Sequence, residues 1–178
     1  MNAEIYTALG TWALAAITFC LVRRQTTESK RATGLQLFTQ ITHDFQDPIM
    51  RKLRKQFAAG LLYYRQNKQP VLDPLADETV LEFLENIAHL TRSEVLEKTI
   101  IWNYFSVAIE GYWYAVRDLI TDYRIKENDN DLYRDLEWLS EEFAKITAKR
   151  KGRDASERPT QKKIDGYLYS EMDLRSVD

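Results

Sequence analysis

The residues WNYFSVAIEGYWYAVRDLITDYR, Trp102–Arg124, read as one long helix with a wide apolar seam. Val95, Trp102, Ile109, Val116 and Tyr123 recur at intervals of seven, and Phe105, Tyr112 and Leu119 fill the position three further on. That spacing keeps one helix face against neighbouring helices. The predicted helix runs over 94–125, with Ser93 as its cap and Glu94 and Glu97 near its positive end. Asn103, Glu110, Arg117 and Arg124 also recur every seven residues and share a second face, with Tyr114 one turn from Glu110. Glu110 lies in the most apolar part of the chain, where a carboxylate needs a partner. The favoured reading of this candidate buried polar network is an ion pair that fixes helix register. The rival reading is an acid with a raised pKa, poised for proton transfer. The window 99–116 holds a single charged residue, Glu110. A carboxylate inside a membrane span is costly, so this window is read as the core of a bundle.

The flanking sequence continues the helical reading, with no strand alternation and no fixed repeat. Upstream, Leu35, Leu37, Phe38, Ile41 and Phe45 form one apolar face, and Gly34 need not stop the helix. Asp47-Pro48 starts the next helix, Asp as cap and Pro in the first turn. Its stripe is Ile49, Leu53, Phe57, Leu61 and Tyr64, with Arg51, Lys52, Arg54 and Lys55 opposite. Asn67 to Pro74 reads as a connection. Asp77 caps a helix that buries Val80, Leu81, Leu84, Ile87, Ala88 and Leu90. Downstream, Asn128 to Asp131 breaks the pattern, and a closing helix carries Leu132, Leu136, Leu139, Phe143 and Ile146. From Lys149 the chain turns polar and reads as a mobile tail, with room for a short helix around Tyr167 to Leu174.

At the other end, IYTALGTWALAAITFCLV, Ile5–Val22, holds 18 residues without a charge. A helix of that size is about 27 Å long, close to a bilayer's hydrocarbon thickness. Tyr6 suits the headgroup level, Trp12 lies near the middle, and Phe19 and Val22 close the run. Arg23, Arg24, Lys30 and Arg31 follow it, which places the N-terminus outside and the body in the cytoplasm. A cleaved signal peptide would need its basic residues before the apolar run. Cys20 reads as an apolar filler, and Thr7, Thr11 and Ala15 as chance small residues rather than a packing motif. The expectation is therefore an all-α protein of 178 residues. Residues 1–31 form a single transmembrane anchor with its basic flank, 32–149 a cytoplasmic helical bundle around one long aromatic helix, and 150–178 a polar tail.

Composition sets limits on function. One cysteine excludes a disulfide framework, and two isolated histidines leave no zinc-ligand spacing. His43 beside Asp44 reads as a surface pair, and His89 as near the packed side of its helix. No phosphate-binding loop, dinucleotide fingerprint or nucleophile elbow is present. No catalytic residue, cofactor or metal ligand is identified. The net charge of -2 hides strong segregation: +5 over 23–55, -11 over 73–142 and +6 over 145–163. Basic residues beside the anchor would attract anionic lipid headgroups of the bilayer. The acidic centre disfavours nucleic acid. A protein partner or a second copy fits better, through the aromatic seam or basic-to-acidic matching.

The order of these pieces resembles a known family. An apolar N-terminal helix and basic stalk precede an Asp-Pro helix start, the acidic helix LEFLENIAHL, the aromatic helix WNYFSVAIEGYWYAVRDLITDYR and the closing LYRDLEWLSEEF. Trp113 with Arg117 and Arg124, then Tyr133 with Leu136, Glu137 and Leu139, carry the likeness. Over about Ile5 to Lys149 the chain resembles the DUF4760 family of uncharacterised bacterial membrane-anchored helical proteins. The resemblance implies a fold and a location at the inner membrane, single-pass, and supplies no activity or site. The expected function is a membrane-anchored helical interaction or scaffold module. The alternatives are a membrane-bound enzyme using Glu110 and a nucleic-acid-binding regulator acting through the basic tail.

Overall fold

A computed structural model describes residues 2–67, 74–152, 154 and 157–174, without the side chains of 2–17, 19–21, 26–27 and 74–77. Among the described residues there are six helices and no strand: α1 (Asn2–Gln46), α2 (Pro48–Asn67), α3 (Pro74–Arg92), α4 (Lys98–Glu127), α5 (Arg134–Lys151) and α6 (Gln161–Met172). The all-helical expectation holds.

The expected transmembrane helix does not. Among the described residues no helix is long and apolar enough to cross a membrane. This corrects the single-pass topology, the inner-membrane location and the anchoring drawn from Ile5–Val22. α1 is one continuous helix that runs on through Arg23, Arg24, Lys30 and Arg31 to core residues Ile41 and Phe45. Described side chains in its upper part, such as Val22 and the four basic residues, are exposed. The side chains of Ile5, Tyr6, Trp12, Phe19 and Cys20, and those of Thr7, Thr11 and Ala15, lie outside the described residues. So do the side chain of Asp77 and most of the connection after Asn67.

The core forms where the sequence periods meet. α4 buries Phe105, Ile109, Tyr112, Val116 and Leu119 of the expected seam, and Ile101 beside them, whereas Trp102 is half-buried, Tyr123 is exposed and Val95 lies before the helix. α3 and α4 both pack on α5, α2 packs on α3 and α6, and α6 also packs on α4. α1 joins through Ile41 and Phe45, whose ring meets Phe83 and Phe105. Higher up, a β-carbon on Gly34 would lie 2.6 Å from the carbonyl oxygen of Val95. Glycine is what lets α1 pass that close to the α3–α4 turn.

Helix ends follow local chemistry. Asp47 Oδ1 accepts the Ile49 N–H at 2.8 Å, the cap expected before Pro48. Ser93 does not cap α4: its hydroxyl donates back to the carbonyls of His89 and Leu90, closing α3 instead. Glu94 is left-handed at φ 59, and α4 starts four residues later than expected, at Lys98. Asn128, at φ 53, ends α4 with its N–H on the Arg124 carbonyl. Tyr133 supplies no side-chain cap to α5. Glu85 of α3 takes that role, accepting the N–H groups of Asp135 and Leu136 at 3.1 and 2.7 Å.

Candidate functional site

Of the five residues of the expected polar network, Arg117 meets Tyr114 and Glu110 shares a cavity with Tyr114, while Asn103 and Arg124 turn to other partners. Asn103 is exposed and faces Arg150 at 3.4 Å. Glu110 is half-buried and accepts from the Thr147 hydroxyl at 3.2 Å. Tyr114 is buried and its hydroxyl meets Arg158 at 3.0 Å. Arg117 is exposed beside Asp118 and lies over the Tyr114 ring. Arg124 clasps the α4–α5 turn, donating Nε and Nη2 to the Leu132 carbonyl and Nη1 to Glu137 Oε2 at 2.8 Å. Glu110 opens on a cavity of about 200 Å³ rimmed by Lys151, Arg158 and Lys163. Burial pushes its pKa up, against the Thr147 hydrogen bond and the Lys151 charge. Among the described residues no cluster of potential metal ligands exists. The chemistry open to Glu110 is to hold one proton beside a hydroxyl.

The strongest polar constellation lies elsewhere, between α2, α4 and α6. Arg54, expected on a solvated face, is 4% exposed, and Glu171 is 5% exposed. Arg54 Nε and Nη2 donate to the two carboxylate oxygens of Glu171, both at 2.7 Å. Its Nη1 donates to the Phe45 carbonyl at 3.1 Å, and the guanidinium stacks 3.7 Å from the Phe45 ring centroid. This fork-to-fork pairing is the geometry that makes a buried pair tolerable. Burial alone would lower the guanidinium pKa, but the Glu171 carboxylate outweighs it, and Arg54 stays charged. Tyr112, fully buried, donates its hydroxyl to Glu171 Oε2 at 2.8 Å. Burial, with the Glu171 charge behind it, holds that phenol well above its ordinary pKa. The Tyr167 ring stands edge-on to Tyr112 at 5.3 Å and lies over Gly111, where a β-carbon would overlap it. The Tyr167 hydroxyl is buried without a hydrogen-bond partner. Burial pushes its pKa far up as well, with the neighbouring Tyr112 phenol and the Glu171 charge adding to it. A second pair, Arg65 Nε to Asp165 Oδ1 at 2.9 Å, ties α2 to α6 at the other end.

A third feature is open to solvent. Where α1 passes the α3–α4 turn, a groove of about 900 Å³ is lined by Leu35, Phe38, Val95 and Ile100, with Lys30 and Arg31 on one wall and Glu94 and Glu97 on the other. Phe38 meets Tyr104 edge-on at 4.9 Å, so the groove continues onto α4. Leu35, Tyr104 and Val107 are 63%, 67% and 71% exposed.

His43 pairs with Asp44 at the surface, as expected. His89 is exposed rather than packed, and shares Asp135 with Arg92. Sequence reasoning missed Glu171 and Tyr167, although Ile164, Tyr167, Leu168 and Glu171 stand at the spacing of one helix face.

No curated protein and no solved structure matches the chain. The family described as Domain of unknown function (DUF4760) matches residues 5–143, which takes in α1 to α4 and most of α5. Arg124 and Glu137, two of the residues that carry the resemblance, meet across the α4–α5 turn. The chain belongs to the DUF4760 family.

Proposed function

We propose that the protein is a helical interaction module that associates with a second copy of itself through the strip Leu35, Tyr104 and Val107 and the adjoining groove. The observation that carries this is the Phe38–Tyr104 contact, which links exposed Leu35, one turn before Phe38 on α1, to exposed Val107, one turn after Tyr104 on α4. Single exposed leucines are ordinary, but a joined apolar strip beside a charged rim is a surface that gains by being covered. The rim favours a second copy over an unrelated protein. Lys30 and Arg31 oppose Glu94 and Glu97 across one groove, so two copies related by a two-fold axis present each sign to the other.

The test uses the full chain with a photoreactive phenylalanine analogue at Tyr104. Irradiation should give an adduct of twice the chain mass. The paired substitution of Leu35→Asp and Val107→Asp should weaken association about tenfold or more. The same probe at Ile125, an exposed position on the last turn of α4, should give no adduct. Monomer at every accessible concentration by sedimentation, or equal adducts at Tyr104 and Ile125, would refute the proposal.

A further inference from the structure

The buried cluster around Arg54 is built like a receptor with its ligand in place. α6 is a 12-residue helix that follows a connection from Gly152 to Thr160. It presents Ile164, Tyr167, Leu168 and Glu171 to a groove walled by α2 and α4. Each of these contacts has a counterpart on the wall. Gly111 leaves room for the tyrosine ring, Tyr112 offers its ring edge and a hydroxyl, and Arg54 offers a two-pronged fork for the carboxylate. Arg65 reads a second acid, Asp165, on the helix rim. Glu171 meets Arg54 across 117 residues of chain, on a guanidinium that Phe45 already holds from the wall side.

Two facts separate the groove from its occupant. The family match covers residues 5–143, which include both walls and exclude α6. The wall chemistry is also selective beyond what packing needs. A buried arginine with two donors aimed at one carboxylate discriminates strongly against a helix lacking that acid, because the cation would be left dry and unpaired.

We infer that the α2–α4 groove is a helix-docking site that reads a tyrosine, a leucine and, four residues after the tyrosine, a carboxylate, and that α6 is its tethered occupant. The outside ligand it fits is an amphipathic helix with the same pattern, Ile-x-x-Tyr-Leu-x-x-Glu. Tethering keeps the site filled, since a short connection holds α6 at an effective concentration of order millimolar. A competing helix gains access when that connection is cut or α6 is displaced.

The experiment uses the full chain with a protease site placed between Gly152 and Thr160. The probe is a fluorescent synthetic peptide of residues 158–174. After cleavage the peptide should bind saturably, while the uncleaved chain should bind it about a hundredfold more weakly or worse. The Glu171→Gln peptide should bind at least about tenfold more weakly than the parent peptide. In a cleaved Arg54→Met chain that preference should vanish. Gly111→Ala, which improves helix propensity in α4 but fills the space of the tyrosine ring, should abolish binding and leave α1–α5 helical by circular dichroism. Three results would overturn the assignment: equal binding of the two peptides, equal binding to cleaved and uncleaved chain, or loss of the α1–α5 fold once the segment leaves. This site is separate from the strip at Tyr104, and peptide binding is read without reference to self-association.

Discussion

Arg54 and Glu171 depend on each other more than on anything else in the core. Removing one partner leaves the other charge buried, and breaking such a pair costs about 3–5 kcal/mol. Glu171→Gln keeps one acceptor for the Arg54 fork and should fall at the low end, about 3 kcal/mol. Replacing both with methionine removes charge and partner together. The double variant should be less destabilised than either single one, since apolar replacement of a buried pair is often neutral. Urea denaturation with an unchanged slope checks this. A double variant as unstable as the two single costs added together would mean that the residues act independently. None of this was legible around residue 54. Arg51, Lys52, Arg54 and Lys55 look like one solvated face, and it is Phe45 of α1 and Glu171 of α6 that hold Arg54 inward. Glu110 shows the opposite case. Its half-buried position was legible, because an isolated acid in an apolar helix has few places to go, but its partner Thr147 was not, because hydroxyls are too common to pick out by spacing.

Helix α5 begins without a cap of its own, and Glu85 of α3 closes it from outside. Loss of a helix cap costs about 1–2 kcal/mol, and Glu85→Ala should fall in that range. Amide exchange should rise first at Asp135 and Leu136, with Glu171 and α6 untouched. Exchange rising evenly through the molecule would show that Glu85 supports the core rather than the start of α5. Elements were readable where the determinants are local or periodic. The seven-residue seam of α4, the Asp47–Pro48 start and the stop at Asn128 all depend on residues within a few turns. The Ser93 cap failed because Glu94 adopts a left-handed turn, which hands the serine hydroxyl to the preceding helix. α6 was hard to see because its apolar face is only four residues wide and one of them is a glutamate. Its docking depends on a guanidinium that sequence distance hides.

Over the whole molecule, charge is segregated, and titration should reveal which groups are paired. An uncharged run such as Ile5–Val22 meets the length condition for a bilayer span, but that condition is necessary rather than sufficient, and α1 continues from it into the core of the bundle. Two kinds of carboxylate then act in opposite directions on stability. Hydrogen bonds from Lys145 and Lys98 pull the Glu142 pKa down. At Asp135 burial pushes upward, but His89 and Arg92 outweigh it, and the pKa is lowered. These groups stabilise the fold above the unfolded carboxylate pKa, and that contribution is lost as pH falls through their lowered values. Glu110 works the other way. Burial raises its pKa above the ordinary 4.5, so the folded chain holds this proton when the unfolded chain has released it. Its contribution is complete below the unfolded pKa and is lost as pH rises through the raised value. Glu110→Gln keeps an acceptor for the Thr147 hydroxyl and removes the titration. The variant should therefore be more stable than the parent at pH 7, a gain that shrinks to nothing as pH falls below about 4. Paired urea melts at the two pH values measure the difference directly. A gain that is the same at both would assign the effect to packing, and a loss at pH 7 would mean that the ionised Glu110 is stabilised by Lys151 more than burial penalises it.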